Sequence, residues 1–334
     1  MRAITYSTPG GPEVLTLTER PVPEPAQGEV RVRIRVSGVN PTDWKSRRAG
    51  TQAPTQVPNH DGSGVIDAVG PGVPETRVGE RVWLYEAAHQ RPDGTAQEYV
   101  ALPERQAVSL PDHASFELGA SLGVPAITAH RALTVAEGGP QRLAPGALDG
   151  RVVLVAGGAG AVGNAAIQLA RWAGATVIST VSSSAKGNLA RAAGAEYVVD
   201  YKAGDAAAEI RRIAPDGVHI VVEVAPGANA ALDVDVTANG AVVAFYANDK
   251  DDAPIPVRPS MAGNIRWQGL LLYTLPAEAK AHAIAAVTEA LAADAIRVGP
   301  EAGLPLHRFP LERTAEAHEA VEKGAVGKVL VDVA

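Results

Sequence analysis

Hydrophobic and polar positions alternate along residues 29–39 (EVRVRIRVSGV), which is the pattern of a strand with one buried face. Similar short stretches follow at 62–73 and 79–85, and glycine and proline separate them at close spacing. Many short strands joined by such turns are typical of a β-barrel or a sandwich. The first part of the chain, residues 1–125, is therefore predicted to be rich in β-structure.

The pattern changes near Ser115, where apolar residues take helical spacing, and from Arg151 onward strands and helices alternate. Strand-like runs such as VVLVAG, TVISTV and EYVVDY are followed by helix-like segments such as VGNAAIQLARWAG and SAKGNLARAAG. This alternation predicts a parallel, doubly wound sheet, so the fold class is α/β. A long helix is expected over 276–293, and the chain should close with a helix, a turn and a strand.

The chemistry most visible in the sequence is a glycine cluster between the first of these strands and its helix. Gly158, Gly160 and Gly163 have G-x-G-x-x-G spacing. The first glycine is expected to permit the tight turn, the second to let a pyrophosphate approach, and the third to let the helix pack on the strand. The alternative is a structural turn in another α/β fold. The predicted cofactor-binding loop comprises Gly158, Ala159, Gly160, Ala161, Val162 and Gly163.

The end of the next strand indicates which dinucleotide is bound. NAD-binding chains usually carry an acid there for the ribose 2′-hydroxyl, but residues 179–188 (STVSSSAKGN) contain none. Ser182, Ser183 and Lys186 offer hydroxyls and an ammonium group, which suit a 2′-phosphate. NADPH is therefore predicted rather than NADH. The alternatives are a surface role for Lys186 and helix capping by the serines, and capping is compatible with phosphate binding.

Composition narrows the class of protein further. The chain has 334 residues, enough for about two domains, and a net charge of −7 without a basic patch, which argues against a nucleic-acid partner. It contains no cysteine, which excludes disulfides and thiolate metal sites. No signal peptide and no apolar run long enough to span a membrane is apparent. A cytoplasmic protein is expected.

Several segments together resemble a known family. PNHDGSGVIDAVGPGV (58–73), GTAQEYVALPE (94–104), LGVPAITAHRAL (122–133) and GGAGAVGNAAIQLA (157–170) are similar to the zinc-free quinone reductases, the zeta-crystallin branch of the medium-chain dehydrogenase/reductases. The resemblance covers nearly the whole chain. It implies a homodimer whose protomer has a GroES-like β-barrel catalytic domain and a Rossmann domain, with the active site in the cleft. The implied ranges are 1–123 and 263–334 for the catalytic domain and 124–262 for the Rossmann domain.

The resemblance also identifies the positions at which zinc-dependent relatives hold their catalytic ion. They are Asn40, His60 and Val124, and one imidazole with an amide and a valine cannot form a tetrahedral nitrogen and sulfur site. No metal is therefore predicted, and His60 is expected to be a hydrogen-bonded histidine. Without a Lewis acid, hydride transfer to an electrophilic acceptor is favoured over alcohol oxidation.

Candidate catalytic residues follow from the same resemblance. It places Asn40 and Thr128 near the nicotinamide, where both side chains can hydrogen-bond cofactor or substrate. Asp43, Trp44 and Lys45 stand where quinone reductases often carry tyrosines, so Trp44 is assigned to stacking on a flat ring and Lys45 to stabilising an oxyanion. The alternatives are a turn held by Asn40, an exposed helical turn, and helix packing by Thr128.

Further residues are assigned to the cofactor and the substrate pocket. Tyr201 and Lys323 match positions beside the 2′-phosphate, and the backbone around Phe245 and Tyr246 is expected to meet the nicotinamide carboxamide. Residues 264–273 are predicted to line the pocket and to contribute to the dimer contact, although an apolar run is also typical of a core. Within this stretch the pocket residues are Leu271 and Tyr273. Lys328 is predicted on the surface of the last strand.

These observations favour an NADPH-dependent quinone oxidoreductase that acts on a small molecule without zinc. An NADPH-dependent enoyl or enone reductase of the same superfamily is the nearest alternative, because both transfer hydride to a conjugated acceptor. A non-catalytic NADPH-binding structural or sensor protein is an alternative of another class.

Overall fold

The computed structural model describes residues 1–51, 53–248 and 252–333. They form two units, one made of Met1–Val124 with Pro305–Ala334 and the other of Pro125–Leu304.

In chain order the strands and helices are β1 (Arg2–Thr5), β2 (Thr16–Glu19), β3 (Glu29–Val39), α1 (Pro41–Ala49), β4 (Asp61–Val69), β5 (Arg81–Leu84), β6 (Tyr99–Pro103), β7 (Ala107–Ser109), α2 (Phe116–Gly119), α3 (Gly123–Leu133), β8 (Val152–Ala156), α4 (Ala161–Trp172), β9 (Thr176–Val181), α5 (Ser184–Ala193), β10 (Tyr197–Asp200), α6 (Ala206–Ile213), β11 (Val218–Glu223), α7 (Pro226–Val236), β12 (Thr237–Phe245), α8 (Val257–Ala262), β13 (Arg266–Gly269), α9 (Ala277–Ala292), β14 (Leu306–Pro310), α10 (Thr314–Glu322) and β15 (Lys328–Asp332). Short 3₁₀ helices lie at Pro12–Val14, Glu75–Arg77, Glu104–Gln106, Leu272–Thr274, Pro300–Ala302 and Leu311–Arg313.

The first unit is built around a sheet with the strand order β14-β15-β3-β4-β5-β7, and β6 also pairs with β3. Its pairs are antiparallel except for β14 with β15. Val30, Val32 and Ile34 of β3 are fully buried, whereas Arg31 and Arg33 lie between them on the other face. The alternation predicted for residues 29–39 is therefore confirmed, since one face of this strand packs in the core.

The second unit contains a six-stranded sheet with the order β10-β9-β8-β11-β12-β13. All five strand pairs are parallel. This order reverses between β8 and β11, as in a dinucleotide-binding sheet, and the crevice at the carboxyl ends of the strands is where such sheets bind ligands. The predicted α/β class and doubly wound sheet are confirmed.

The boundary between the units near the end of the chain differs from the one expected. The sequence placed residues 263–334 with the first 123 residues, but the chain leaves the second unit only at Leu304. Strand β13 explains the difference, because Arg266–Gly269 pairs in parallel with β12 and extends the sheet of the second unit. The long helix expected over 276–293 is α9, Ala277–Ala292, and it also belongs to this unit.

The helical region predicted from Ser115 is divided into two helices. Ser115 caps α2 by accepting a hydrogen bond from the N–H of Leu118 at 3.1 Å, but α2 ends at Gly119 and α3 begins at Gly123. A Cβ on Gly119 would lie 2.9 Å from Cβ of Ser63, so only glycine allows α2 to approach the sheet this closely.

No helix in the described ranges is both long and apolar enough to cross a bilayer.

Candidate functional site

The glycine loop joins β8, which ends at Ala156, to α4, which begins at Ala161. The residue in the left-handed conformation is Gly157, with φ of +71°. The N–H of Gly157 donates to the carbonyl of Thr180 at 3.0 Å, and the carbonyl of Gly157 accepts from the N–H of Gly160 at 3.0 Å. This last bond closes a turn with Gly158 and Ala159 at its centre, and Gly157 before them takes the positive φ that only glycine adopts freely. The role of Gly158 in permitting the tight turn stays a prediction.

Gly158 and Gly163 are required by close packing. A Cβ on Gly158 would collide with the hydroxyl of Ser179 on β9 and lie 2.6 Å from Cδ1 of Ile167. A Cβ on Gly163 would lie 2.5 Å from the carbonyl oxygen of Gly157 and 2.9 Å from Cα of Gly158. Gly163 therefore lets α4 pack closely against the loop that follows β8, where nothing larger fits. Its predicted role in packing the helix on the strand itself stays a prediction.

The N-terminus of α4 faces open space. Gly160 is the N-cap residue, and the nearest atom to a Cβ placed on it is the carbonyl oxygen of Gly157 at 3.5 Å. The first N–H groups of an α-helix have no partner within the helix, and its dipole favours an anion at this end. Ala161 and Val162 provide such groups in the first turn, whereas Ala159 is buried. This geometry suits a pyrophosphate.

The structure brings together the residues expected at the 2′-phosphate after β9. The ammonium of Lys186 donates to the hydroxyl of Ser182 at 3.1 Å, and Ser183 caps α5 by accepting from the N–H of Lys186 at 3.4 Å. The N–H of Tyr201 donates to the carbonyl of Val181 at 3.1 Å, which places the exposed Tyr201 side by side with the start of this cluster. Hydroxyls and an ammonium at one sheet edge form a suitable anion site.

Phe245 and Tyr246 lie at the carboxyl end of β12, and both are half-buried. The N–H of Tyr246 donates to the carbonyl of Glu223 on β11 at 3.1 Å, and burial raises the pKa of the Tyr246 hydroxyl. The two residues therefore stand at the sheet edge where ligands bind in such folds. Their contact with a nicotinamide stays a prediction.

A buried pair of carboxyl groups beside Tyr246 was missed from the sequence. Glu223 and Asp233 are 0% and 1% exposed. Glu223 accepts hydrogen bonds from the backbone N–H of Ala225 and from Asn229, the latter at 3.0 Å. Burial raises the pKa of both acids, and the charge of Glu223 raises the pKa of Asp233 further. The available signal was an acid that ends an otherwise apolar strand, VHIVVE.

Replacing Asp233 by asparagine should change how stability depends on pH. Wild-type Asp233 stays protonated to higher pH in the folded state than in the unfolded state, so unfolding releases a proton and the free energy of unfolding falls as pH rises. The replacement amide cannot titrate, yet it can still donate a hydrogen bond to Glu223. Between pH 5 and 9, urea unfolding should therefore show a flatter curve for Asp233→Asn, with a relative gain of about 1.5–3 kcal/mol at the alkaline end.

The control for this prediction is Asp235→Asn, which removes an exposed acid from the same helix, α7. Its curve should run parallel to that of the wild type. If the curve for Asp233→Asn also ran parallel to that of the wild type, the pKa of Asp233 would not be raised in the folded state.

In the first unit, Asn40 begins helix α1. It is the N-cap residue, its N–H donates to Oδ2 of Asp43 at 2.6 Å, and Pro41 follows as the first helical residue. Its side chain is 2% exposed, donates to Oδ2 of Asp61 at 2.8 Å and accepts from the ammonium of Lys328 at 2.7 Å. Both polar atoms of the amide are thus engaged within the protein, and a bound substrate can meet only its second N–H.

A cavity of about 240 Å³ lies beside this helix. Asp43 lines it, accepting N–H groups from Asn40 and, at 3.1 Å, from His60, and burial raises the pKa of Asp43 to about 8. Burial lowers the pKa of His60 to about 3 and raises the pKa of Tyr6 to about 12, so both line the cavity as neutral groups near pH 7. The other polar side chains lining the cavity are Ser46, Thr51, Gln56 and Asn59.

Trp44 and Lys45 occupy a different part of α1. The half-buried ring of Trp44 has the guanidinium of Arg48 at 5.3 Å and the ammonium of Lys45 at 5.8 Å from its centroid. Neither Trp44 nor Lys45 is among the described residues that line the cavity, whereas Asp43 is. Their assigned roles, stacking and oxyanion stabilisation, therefore find no support in this cavity and stay predictions.

The remaining predicted residues are placed as follows. Thr128 is buried within α3, and Leu271 is 56% exposed and Tyr273 half-buried in the second unit. Lys323, in the first unit, is exposed and its ammonium pairs with Glu319 at 2.6 Å. Their roles toward cofactor and substrate stay predictions.

The surface position predicted for Lys328 is wrong. Lys328 is 1% exposed, and its ammonium lies 2.7 Å from Oδ1 of Asn40 and 3.6 Å from Oδ2 of Asp61. The strand KVLVD is buried at its first four positions, because β15 lies inside the sheet between β14 and β3. The lysine therefore points into the protein, where a carboxylate and an amide compensate its charge.

Comparison with known proteins gives two family matches. The alcohol dehydrogenase GroES-like domain matches residues 26–112, and the zinc-binding dehydrogenase family matches residues 161–289. The quinone oxidoreductase of Rattus norvegicus is 30% identical over 339 residues, covering 99% of this chain and 97% of the relative. A solved structure described as an NAD-dependent alcohol dehydrogenase is 29% identical with a TM-score of 0.86 over 100% of both chains. A mycobacterial protein solved in complex with NADPH is 27% identical with a TM-score of 0.81 over 99% of both chains.

The residues of this chain do not fit the zinc ion that the second family description mentions. Of the three matching positions, Val124 has a hydrocarbon side chain, Asn40 has both polar atoms engaged, and only His60 is a usual ligand. The sequence has no cysteine. Within residues 1–51, 53–248 and 252–333 no group of three or more His, Asp or Glu side chains is arranged to hold a metal ion.

Proposed function

Because the chain belongs to the quinone oxidoreductase family of the medium-chain dehydrogenase/reductases, we propose that this oxidoreductase transfers hydride from NADPH to a quinone without zinc. The observation that carries the proposal is the pairing of an open glycine loop with Lys186 and Ser182 at the end of the next strand. The loop suits a pyrophosphate and the pair suits a 2′-phosphate.

The choice of cofactor rests on that pair. One similar structure is described as NAD-dependent and another contains NADPH, so similarity alone does not decide between them. In this chain no acid stands in residues 182–188, where one would bind a ribose 2′-hydroxyl and repel a 2′-phosphate. The ammonium of Lys186, held at 3.1 Å from Ser182, supports NADPH.

NADPH, once bound, supplies the hydride, and the residues of this chain supply position and polarity. A quinone oxygen gains charge during reduction, and a hydrogen-bond donor at that oxygen lowers the barrier. We assign this role to the cavity in the first unit. Its wall offers the hydroxyl of Tyr6 and the carboxyl of Asp43, which keeps a proton near pH 7 because burial raises its pKa to about 8. We also propose that Asn40 and Thr128 hydrogen-bond cofactor or substrate near the nicotinamide and that Lys45 stabilises the developing oxyanion.

The second candidate is an NADPH-dependent enone or enoyl reductase. Reducing a conjugated carbon–carbon double bond requires a proton at carbon after the hydride has been added. Asp43 favours this candidate, because a buried carboxyl that lines a cavity and has a pKa of about 8 is a suitable proton donor.

The test follows oxidation of NADPH, with NADH in parallel, by the purified protein with small quinones, a polycyclic quinone, simple enones and an enoyl thioester. We expect kcat/KM for quinones to exceed that for enones and thioesters at least tenfold, and NADPH to be preferred over NADH. A chelator should leave the rates unchanged, because the donor set does not fit zinc.

Each departure from this result has its own meaning. Preference for enones or thioesters would move the protein to the second candidate function. Tight NADPH binding without turnover on any acceptor would favour a non-catalytic structural or sensor protein. Loss of activity on chelation, restored by zinc, would contradict a zinc-free site.

We also propose that the protein works as a cytoplasmic homodimer. In the part of the chain that the structure describes, β13 is the outermost strand of its sheet. Val257, Met261 and Leu271 nearby are 67%, 73% and 56% exposed, and exposed apolar side chains of this size are typical of an interface. Light scattering at micromolar concentration tests the dimer, and fractionation of the native cells tests the location.

A further inference from the structure

Lys328 carries a deeply buried ammonium group, at 1% exposure. A buried charge is unfavourable unless other groups compensate it, and even a compensated pair adds little net stability over an apolar pair of the same size. Here the compensation comes from Asp61, which is fully buried, and from the amide of Asn40. Stability alone therefore does not explain the lysine.

The carboxylate of Asp61 connects four segments of the first unit. It accepts the side-chain N–H of Asn40 at 2.8 Å, where β3 meets α1, and the backbone N–H of Val124 at 2.9 and 3.0 Å, at the start of α3. Asp61 itself begins β4, and the ammonium of Lys328 reaches it from β15. A single carboxylate thus joins residues that lie far apart in the sequence.

These contacts involve the three positions that the resemblance assigns to the metal site of zinc-dependent relatives. Asn40 and Val124 both donate to Asp61, and His60 is its neighbour in the chain. A Cβ on Gly38 would collide with the carbonyl oxygen of Ala120 and would lie 3.2 Å from Cε of Lys328, so only glycine fits here.

From Lys328 the hydrogen bonds lead to the cavity. The ammonium donates to Asn40, the N–H of Asn40 donates to Asp43, and Asp43 also accepts the N–H of His60. Asp43 and His60 line the 240 Å³ cavity. Lys328 is thus connected through Asn40 to a carboxyl group that lines the cavity.

We propose that Lys328 is a positioning residue of the active site, an internal cation that neutralises Asp61 and holds Asn40 so that Asp43 and His60 keep their places in the cavity wall. Through Asp61 it links β15 to the segments that carry Asn40 and Val124. The inference rests on the proposed function only in its use of turnover as a readout.

The experiment removes the charges of Lys328 and Asp61, first singly and then together, and measures Tm and turnover of each variant. Lys328→Met keeps the length of the side chain but leaves Asp61 buried without its counter-charge, and should lower Tm by about 10 °C. The double variant Lys328→Met with Asp61→Asn carries neither charge, and the carbonyl of the replacement amide can still accept the N–H of Val124. We expect the double variant to recover most of the lost Tm.

The kcat of the double variant then distinguishes a positioning role of Lys328 from a purely structural one. In the double variant Asn40 still lacks its donor from Lys328, so kcat with the best acceptor should fall tenfold or more, since small misplacements in an active site reduce rates strongly. The Kd for NADPH should stay within twofold, because the glycine loop and Lys186 belong to the other unit. The matched control is Arg308→Met with Asp332→Asn, which removes an exposed pair, joined at 2.8 Å, from β14 and β15. The control should keep the wild-type kcat.

A double variant with recovered Tm and wild-type kcat would overturn the positioning role. A double variant no more stable than Lys328→Met would overturn it as well, because the ammonium would then not be the counter-charge of Asp61. Absence of turnover by the wild type with every acceptor would instead refute the proposed function. The Tm values of the variants would still test whether Lys328 is the counter-charge of Asp61.

Discussion

Gly163→Ala should destabilise the cofactor-free protein by about 1–3 kcal/mol and abolish measurable NADPH binding. The added methyl would lie 2.5 Å from the carbonyl oxygen of Gly157 and 2.9 Å from Cα of Gly158, and both of these are backbone atoms. The first turn of α4 must therefore move away from the loop. Its N–H groups would then no longer converge on the site proposed for the pyrophosphate. Urea unfolding without cofactor measures the first effect, and fluorescence titration with NADPH measures the second.

Gly160→Ala is the matched control for this prediction. The nearest atom to its new methyl is 3.5 Å away, and φ of −85° is open to any residue, so stability should stay within about 1 kcal/mol of the wild type. The methyl nevertheless projects where the pyrophosphate is proposed to approach, so NADPH affinity should fall. Wild-type affinity in both variants would show that the loop does not hold the cofactor.

Lys186→Ala should raise the Kd for NADPH by about 10–100-fold and change that for NADH less than about twofold. The ammonium is held 3.1 Å from the hydroxyl of Ser182, at the end of β9. Only NADPH carries the 2′-phosphate with which it would form a charge-assisted hydrogen bond. At high salt the effect of the substitution on the preference for NADPH over NADH should be smaller, because part of that preference is electrostatic. Fluorescence titrations with both dinucleotides at low and high salt measure these constants.

Arg191→Ala serves as the control, since Arg191 is an exposed cation in the last turn of the same helix, α5. Its removal should leave both dissociation constants unchanged. Equal losses for NADPH and NADH in Lys186→Ala would contradict the 2′-phosphate assignment and bring NADH back as the cofactor.

Local patterns in the sequence were sufficient for most of the second unit. Strands β8 to β12 follow from apolar runs, and the glycine spacing follows from the needs of one turn, because all of these signals lie within a few residues of each other. Ser182 and Lys186 are four residues apart at the start of a helix, so their meeting was also predictable. The spacing did not indicate that Gly157, just before the motif, takes the left-handed conformation, because the motif does not include that residue.

The buried polar cluster of the first unit, formed by Asn40, Asp61 and Lys328, could not be predicted from local patterns. Asn40, Asp61 and Lys328 come from three distant parts of the chain, and each has an ordinary surface interpretation in its own sequence context. Only the pairing of β15 with β3 turns Lys328 inward. Strand β13 was missed for a related reason, since RWQG is short and polar and becomes a strand through its pairing with β12.

The position of β15 has a consequence for how the chain is assembled as it is synthesised. Residues Glu29–Arg33 of β3 pair with β6, which is made soon afterwards, but Val36–Val39 pair with β15, which leaves the ribosome only after the whole of the second unit. The second unit, one continuous stretch, can complete its sheet first. Until then the nascent first unit exposes a strand edge at Val36–Val39, the kind of edge that recruits other chains. The first unit is thus begun first and completed last, because its sheet waits for the strand that is synthesised at the end.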